Sequence, residues 1–168
     1  RKKNKSKFTS RATLAVLGIK LRKKKVFQPV IENVKISQKT IIYTPTEKLL
    51  DAMISILSGA HGIYEINKRV RSDKALQRAF GREGCAEQSV VQNTLDACTK
   101  KNTVQMQVAY DRIYKRHSQG WRHNYKKEWQ LLDADMTGRP CGRKAAFASK
   151  GYFAKQRNRR GRQEGYLI

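Results

Sequence analysis

The feature that most constrains this chain is a helix start at Thr44-Pro45-Thr46-Glu47, followed by apolar residues spaced three and four apart as far as residue 118. Thr44 can accept from the backbone three residues on, Glu47 can bond back, and Pro45 lacks only an N–H that the first helical position leaves unused. Leu49, Leu50, Met53, Ile54 and Ile56-Leu57 keep the helical period, and Ser58-Gly59 predicts the stop. Ile63, Ile66 and Val70 suggest a short second helix. Ser72 or Asp73 offers a cap for a third over Lys74–Phe80, closed by Gly81. Ala86–Cys98 predicts a fourth, with Val90, Val91, Leu95 and Cys98 on one stripe, which puts Cys98 in the core. Thr103–His117 predicts a fifth. Segment 44–118 thus reads as an all-helical unit.

Outside that segment charge decides. The 168 residues hold 37 Lys and Arg against 13 Asp and Glu, a net charge of +24. Residues 1–25 hold 11 cations and no acid, and residues 139–168 hold 9 cations with Glu164 alone against them. The middle is close to balanced, so two cationic arms flank a near-neutral body. Such an excess calls for a polyanion, and nucleic acid is the commonest one. A solvated tail is the plainer reading of any single basic run. No run approaches the roughly 18 apolar residues of a membrane span. The arms also lack the aromatic and Leu-rich face of a membrane-surface helix. Cys85, Cys98 and Cys141 are too few and too far apart for a disulfide scaffold, and the sparse odd count suits a reducing compartment. No Cys-x₂-Cys pair exists, so a structural zinc is not expected.

Residues 26–43 alternate and are rich in β-formers, which predicts one or two short strands, with Pro29 at an edge or turn. Residues 119–128 form a basic, aromatic linker carrying Trp121, Arg122, His123, Tyr125, Lys126 and Lys127. The chain opens on Arg1 rather than Met and closes on Gly165-Tyr166-Leu167-Ile168, patterned like the start of a strand, so a fragment or processed chain is expected. No apolar signal region is visible, which speaks against secretion.

Lys74–Phe80, the Gly-Arg-Glu-Gly of 81–84, then Ala86–Cys98 has the lengths of a helix-turn-helix. On that reading Ala86–Cys98 enters the major groove with a polar face of Glu87, Gln88, Ser89, Gln92, Asn93 and Thr94, where Gln and Asn suit bidentate contacts to adenine. An ordinary helical bundle with a polar exterior fits the same spacing. Lys100, Lys101, Arg122, Lys126, Lys127, Arg157, Arg159, Arg160 and Arg162 are the candidate phosphate contacts.

The stretch with most chemistry in it is Trp129-Gln130-Leu131-Leu132-Asp133-Ala134-Asp135-Met136-Thr137-Gly138. In a strand, Asp133 and Asp135 share one face. Two carboxylates that close repel, and a hard divalent cation such as Mg²⁺ is the usual remedy. A strand ending in a solvated acidic turn is the alternative.

The string 132–142, Leu-Asp-Ala-Asp-Met-Thr-Gly-Arg-Pro-Cys-Gly, with Lys150-Gly151-Tyr152-Phe153, resembles the first catalytic strand of bacterial insertion-sequence transposases of the DDE type. Tyr43-Thr44-Pro45, Lys48-Leu49, Gly59, Ile66-Asn67, Ala79-Phe80-Gly81 and Cys85-Ala86-Glu87-Gln88-Ser89 are similar too, so the resemblance covers roughly residues 35–168. It implies an α+β chain: a helical DNA-binding domain over 44–118, then the truncated start of a ribonuclease-H-like α/β domain over 129–168, with flexible basic arms. It implies recognition of transposon ends in duplex DNA, as a possible homodimer in a bacterial cytoplasm, near the nucleoid. The family holds two Mg²⁺ ions on two Asp and one Glu. Asp135 matches the first of these as part of Asp-Met-Thr, and Asp133 is the alternative. The second Asp and the Glu have no counterpart here, so this chain is expected to bind DNA without cutting it. The rival expectations are a structural RNA-binding protein of the ribosomal kind and a stand-alone helix-turn-helix regulator.

Overall fold

The computed structural model describes residues 8–39, 42–127 and 134–167. The chain divides into two compact units, one up to Arg122 and one from His123. The architecture is α+β, with helices in the first unit and a three-stranded antiparallel sheet in the second.

The first unit runs α1 (Ala12–Lys23), α2 (Gln28–Asn33), α3 (Pro45–Leu57), α4 (Lys74–Ala79), α5 (Gln88–Asp96), α6 (Lys100–His117) and α7 (Gln119–Arg122). A 3₁₀ turn at Ile63–Glu65 and a wide π turn at Asn67–Arg71 bridge α3 and α4. The predicted start of α3 is present in full: the Glu47 amide donates to Thr44 Oγ1 at 3.2 Å and the Thr44 amide to Glu47 Oε2 at 2.8 Å. Gly59 (φ +80°) and Gly81 (φ +77°) take the left-handed backbone that ends α3 and α4. Asp73 caps α4 through a 2.9 Å bond from the Leu76 amide. The main core gathers Ile54, Ile66, Val70, Leu76, Phe80, Cys85 and Val91, and a second cluster gathers Val30, Val34, Ile36 and Ala109. No described helix is long and apolar enough to cross a membrane.

Three expectations for this unit need correction. The basic arm, expected to be flexible, is helical between 12 and 23. It forms α1, whose Leu14, Ala15 and Leu21 pack on the main core, and whose Gly18 lies so close to Phe80 that a Cβ there would stand 2.6 Å from the ring. Leu14, Gly18 and Leu21 recur at helical spacing, a stripe that the surrounding lysines conceal. The segment 26–43 holds α2 rather than a strand, because Val26, Phe27, Val30 and Ile31 also fit a helical period and Pro29 sits in the first turn. Its later part is extended, with Val34 and Ile36 buried and Lys35 and Ser37 exposed. The backbone at Lys35 finds side chains of α6 instead of a second strand: its amide donates to Gln105 Oε1 (3.0 Å) and its carbonyl accepts from Asn102 Nδ2 (2.7 Å). Cys98, finally, is exposed, because α5 stops at Asp96 and the apolar stripe ends before it.

A buried polar network ties the first unit together. Asp51, fully buried on α3, accepts from Arg82 Nε (2.9 Å), Arg82 Nη2 (3.2 Å) and the Ala86 amide (2.9 Å). Arg82 also pairs with Glu47, and its guanidinium lies 5.3 Å from the centre of the Tyr43 ring. The whole connection from α4 to α5 is anchored to α3 in this way.

In the second unit β1 (Ala134–Pro140) and β2 (Ser149–Phe153) flank β3 (Gln156–Leu167), both antiparallel to it. Gly165-Tyr166-Leu167 ends β3 rather than starting a strand. Phe153 is buried, and its ring occupies the space that side chains at Gly138, Gly151 and Gly161 would need: a Cβ at Gly151 would stand 2.9 Å from it and one at Gly138 3.1 Å. The β2–β3 hairpin turns on Ala154 (φ 50°) and Lys155 (φ 63°), a two-residue loop in the primed conformation that suits hairpin twist but strains both residues.

Candidate nucleic-acid interface

α5 is oriented by what it buries. Val91 and Thr94 are fully buried and seat it on α3, so Thr94 belongs to the packed side and not to the outward polar face expected of it. Three- and four-residue spacing then turns Ser89, Gln92 and Asn93 outward together, and all three are exposed. Gln92 Nε2 donates to Asp96 Oδ1 at 2.8 Å within the helix. Gln88 is half-buried, and its amide donates to Asn67 Oδ1 at 3.2 Å, which satisfies one of the unpaired N–H groups at the start of α5. Residues 80–87 separate α4 from α5, more than the three or four of a compact helix-turn-helix. α4 packs on α1 and α5 on α3, so the two helices lean on different partners.

Lys100 and Lys101 follow at the start of α6, both exposed, with no acid in that turn. A helix dipole disfavours cations at its N-terminus and favours anions there. A phosphate at this end meets two ammonium groups as well as the free N–H groups of the first turn. Arg122 is exposed on α7 and donates from Nη2 to the Arg116 carbonyl at 3.1 Å. Trp121 stacks edge-on against Tyr114, with Lys115 Nζ 5.1 Å from its ring centre, so this aromatic packs on its own unit while staying half-exposed.

In the second unit Lys126 and Lys127 are exposed. Arg157, Arg159 and Arg162 are exposed on β3 and Arg160 is half-buried. The register sets cation against cation: Arg139 faces Arg162, and Lys150 faces Arg160. Like charges opposite each other in a sheet are destabilising. Glu164 relieves the first pair, taking Arg139 Nε and Arg162 Nε at 2.9 Å each. The Lys150–Arg160 pair has no carboxylate against it among the described residues.

Asp135 stands in β1 opposite Tyr166, two residues before Thr137, which faces Glu164. Asp133 lies outside the described residues, as does the side chain of Asp135, and with them the shared face expected of the two carboxylates. No cluster of three His, Cys, Asp or Glu that could hold a metal occurs among the described residues.

The charge count also missed a group of cations around one cleft of the first unit. Lys48 is nearly fully buried there, with Asp51 and Ser55 buried beside it on α3. Their spacing of three and four was a readable signal: a polar stripe in an amphipathic helix where the core face belongs. Cys85 is buried on the wall of the same cleft. Burial pushes its pKa up to about 12, and the Asp51 carboxylate adds to the effect. No protein-family model, curated protein or solved structure matches the chain.

Proposed function

We propose that this chain is the DNA-binding portion of a DDE transposase, recognising transposon ends as duplex DNA. The observation that carries nucleic-acid binding is the unrelieved Lys150–Arg160 pair in a sheet whose central strand holds four arginines. A fold that sets cations in register across strands keeps a local cost that a row of phosphates removes. α5 adds the groups for reading sequence, Ser89, Gln92 and Asn93, with Lys100 and Lys101 just after them to hold the backbone. The transposase reading itself rests on Asp135-Met136-Thr137 and its flanking motifs, with the start of a ribonuclease-H-like domain as the finer reading of the sheet. A carboxylate oxygen at Asp135 suits Mg²⁺, the ion that supplies charge stabilisation in phosphoryl transfer. One Asp does not make a two-ion site, and Glu164 is engaged by two arginines. No step of DNA chemistry is therefore assigned to this chain alone.

The test is selection from a random duplex pool at near-physiological salt with a structured RNA competitor. One enriched motif supports end recognition. Loss of all DNA to the RNA, with no motif, overturns it in favour of a structural RNA binder. With a motif in hand, Gln92→Ala with Asn93→Ala lowers discrimination by about 1–3 kcal/mol per lost base contact while random-duplex affinity holds. Equal loss on both duplexes removes α5 as the reading helix.

A further inference from the structure

The first unit contains a cleft of about 510 Å³, within the roughly 300–1,000 Å³ range of small-ligand sites. It lies between the start of α3, the π turn, α4 and the start of α5. Its walls differ in kind. Ile42, Tyr43 and Val90 give an apolar side, and Lys39, Lys48, Arg71 and Lys74 give a cationic one. Glu87 is the one carboxylate among the described lining residues.

Lys48 makes this more than a basic patch. The residue is only 5% exposed, yet it lines the cleft. Among the described residues its Nζ has a single polar partner, the neutral amide oxygen Gln38 Oε1 at 3.1 Å. That oxygen is itself held by Thr94 Oγ1 at 2.7 Å, from a fully buried Thr. An ammonium group carries three donors, and a charge withdrawn from water without a counter-charge is costly. Nearby Asp51 is taken up by Arg82 and the Ala86 amide. Lys74 spends a bond on Gln77 Oε1 at 3.2 Å, and Arg71 is exposed at the rim. The cleft thus presents a fixed, buried cation, further cations near it, and an apolar wall with a Tyr ring.

We propose that this cleft binds a nucleotide monophosphate unit, with the phosphate on Lys48, Arg71 and Lys74 and the base against Tyr43, Ile42 and Val90. A dianionic phosphate supplies the missing counter-charge and accepts the free ammonium donors. A base supplies the flat apolar face that a bare phosphate lacks. The unit is either a free mononucleotide or the terminal nucleotide of an unpaired strand. The inference goes beyond duplex recognition and does not rest on it, because it is tested with no duplex present.

The experiment is calorimetric titration of the full chain with adenosine 5′-monophosphate, adenosine and inorganic phosphate at about 0.15 M ionic strength, where exposed charges are largely screened. The expected result is saturable binding of one monophosphate per chain, with adenosine and inorganic phosphate each bound more weakly. Lys48→Met, and separately Arg71→Gln with Lys74→Gln, weaken it about ten-fold or more, the size of one lost charged hydrogen bond. Lys20→Gln with Lys23→Gln, two exposed cations of α1 outside the cleft, leaves it unchanged. The rim pair keeps the test open if Lys48→Met misfolds. Absence of saturable binding overturns the proposal. So does equal weakening by the Lys20/Lys23 variant, which means bulk charge attraction, or adenosine bound as well as its monophosphate. Displacement of the monophosphate by a 5′-phosphorylated oligonucleotide, and not by its unphosphorylated form, supports the site as one for strand ends. Retention against both supports a site for free nucleotide.

Discussion

The helical unit and the sheet unit hold themselves together by different means. The first buries Ile54, Ile66, Val70, Leu76 and Val91 completely, and adds an internal ion pair between Asp51 and Arg82. In the second, Phe153 is the one buried apolar side chain among the described residues, and glycines around it make room for its ring. The first is organised around side chains that avoid water. The second is organised around backbone ladders that carry arginines into water. The helical unit has a core to fold around by itself, whereas the sheet unit hangs on one ring.

The most damaging break in the first unit is Asp51→Ala. It leaves the Arg82 guanidinium buried beside an exposed-edge partner, Glu47, with its principal counter-ion gone. Removing one member of a buried pair costs about 3–5 kcal/mol. The melting temperature of the helical unit falls accordingly, and the double change Asp51→Leu with Arg82→Met recovers much of the loss. A double variant as unstable as the single one shows that the pair matters through its contacts to Ala86 and Tyr43 rather than through its charge.

Phe153→Ala is the matching break in the second unit. Truncating a buried Phe costs about 3–5 kcal/mol, which is most of what a three-stranded sheet with so little core can hold. Amide exchange in β1, β2 and β3 rises toward the unfolded rate while α3, α4 and α5 stay protected. Uniform loss of protection in both units shows instead that they unfold as one.

The two units were also unequally legible in the sequence. Thr44 to Glu47, Gly59 and Gly81 announced α3 and α4 because capping and left-handed termination are local: the residues that signal them also form them. Val34 to Ser37 alternated as an extended segment should, and is extended, yet no composition could say that Asn102 and Gln105, some seventy residues on, replace the second strand. α1 was hidden because lysines dominate a charge count while Leu14, Gly18 and Leu21 hold the helical stripe. Of the polar residues expected on one face of α5, Ser89, Gln92 and Asn93 are exposed, whereas Gln88 is half-buried and Thr94 fully buried, because polarity alone does not say which side of a helix packs. The cleft was not read, because it is made by residues 39, 48, 71 and 74, which only the turn at 58–62 and the π turn bring together.

The hairpin sharpens the comparison in the stabilising direction. Ala154 and Lys155 both hold positive φ without being glycine or asparagine. Each left-handed non-glycine residue costs roughly 1–2 kcal/mol, part of which Asn or Gly recovers. Ala154→Asn with Lys155→Gly therefore stabilises the sheet by about 1 kcal/mol or more and leaves the helical unit where it was. The readout is slower exchange at the β2–β3 amides alone.

The smallest effect is acid titration of the helical unit. Partial burial works against ionisation of Glu47, but the Thr44 amide and the Arg82 guanidinium outweigh it and hold the carboxyl below its ordinary 4.5. Glu65 is lowered too, first by its hydrogen bond from Arg69 and then by the His61 amide. A carboxylate with a depressed folded-state pKa contributes stability that is fully present above the unfolded value and is lost as pH falls through the folded one. The unit therefore melts at a constant temperature down to about pH 4.5 as far as these two groups are concerned, and then at falling temperatures. Glu47 is more than a third exposed, so solvent screening keeps its share below about 1 kcal/mol. Glu47→Gln lowers the melting temperature slightly at neutral pH and makes the acid slope shallower, because the variant has one carboxylate fewer to protonate. An unchanged slope assigns the acid sensitivity to other carboxylates and reduces Glu47 to a neutral helix cap.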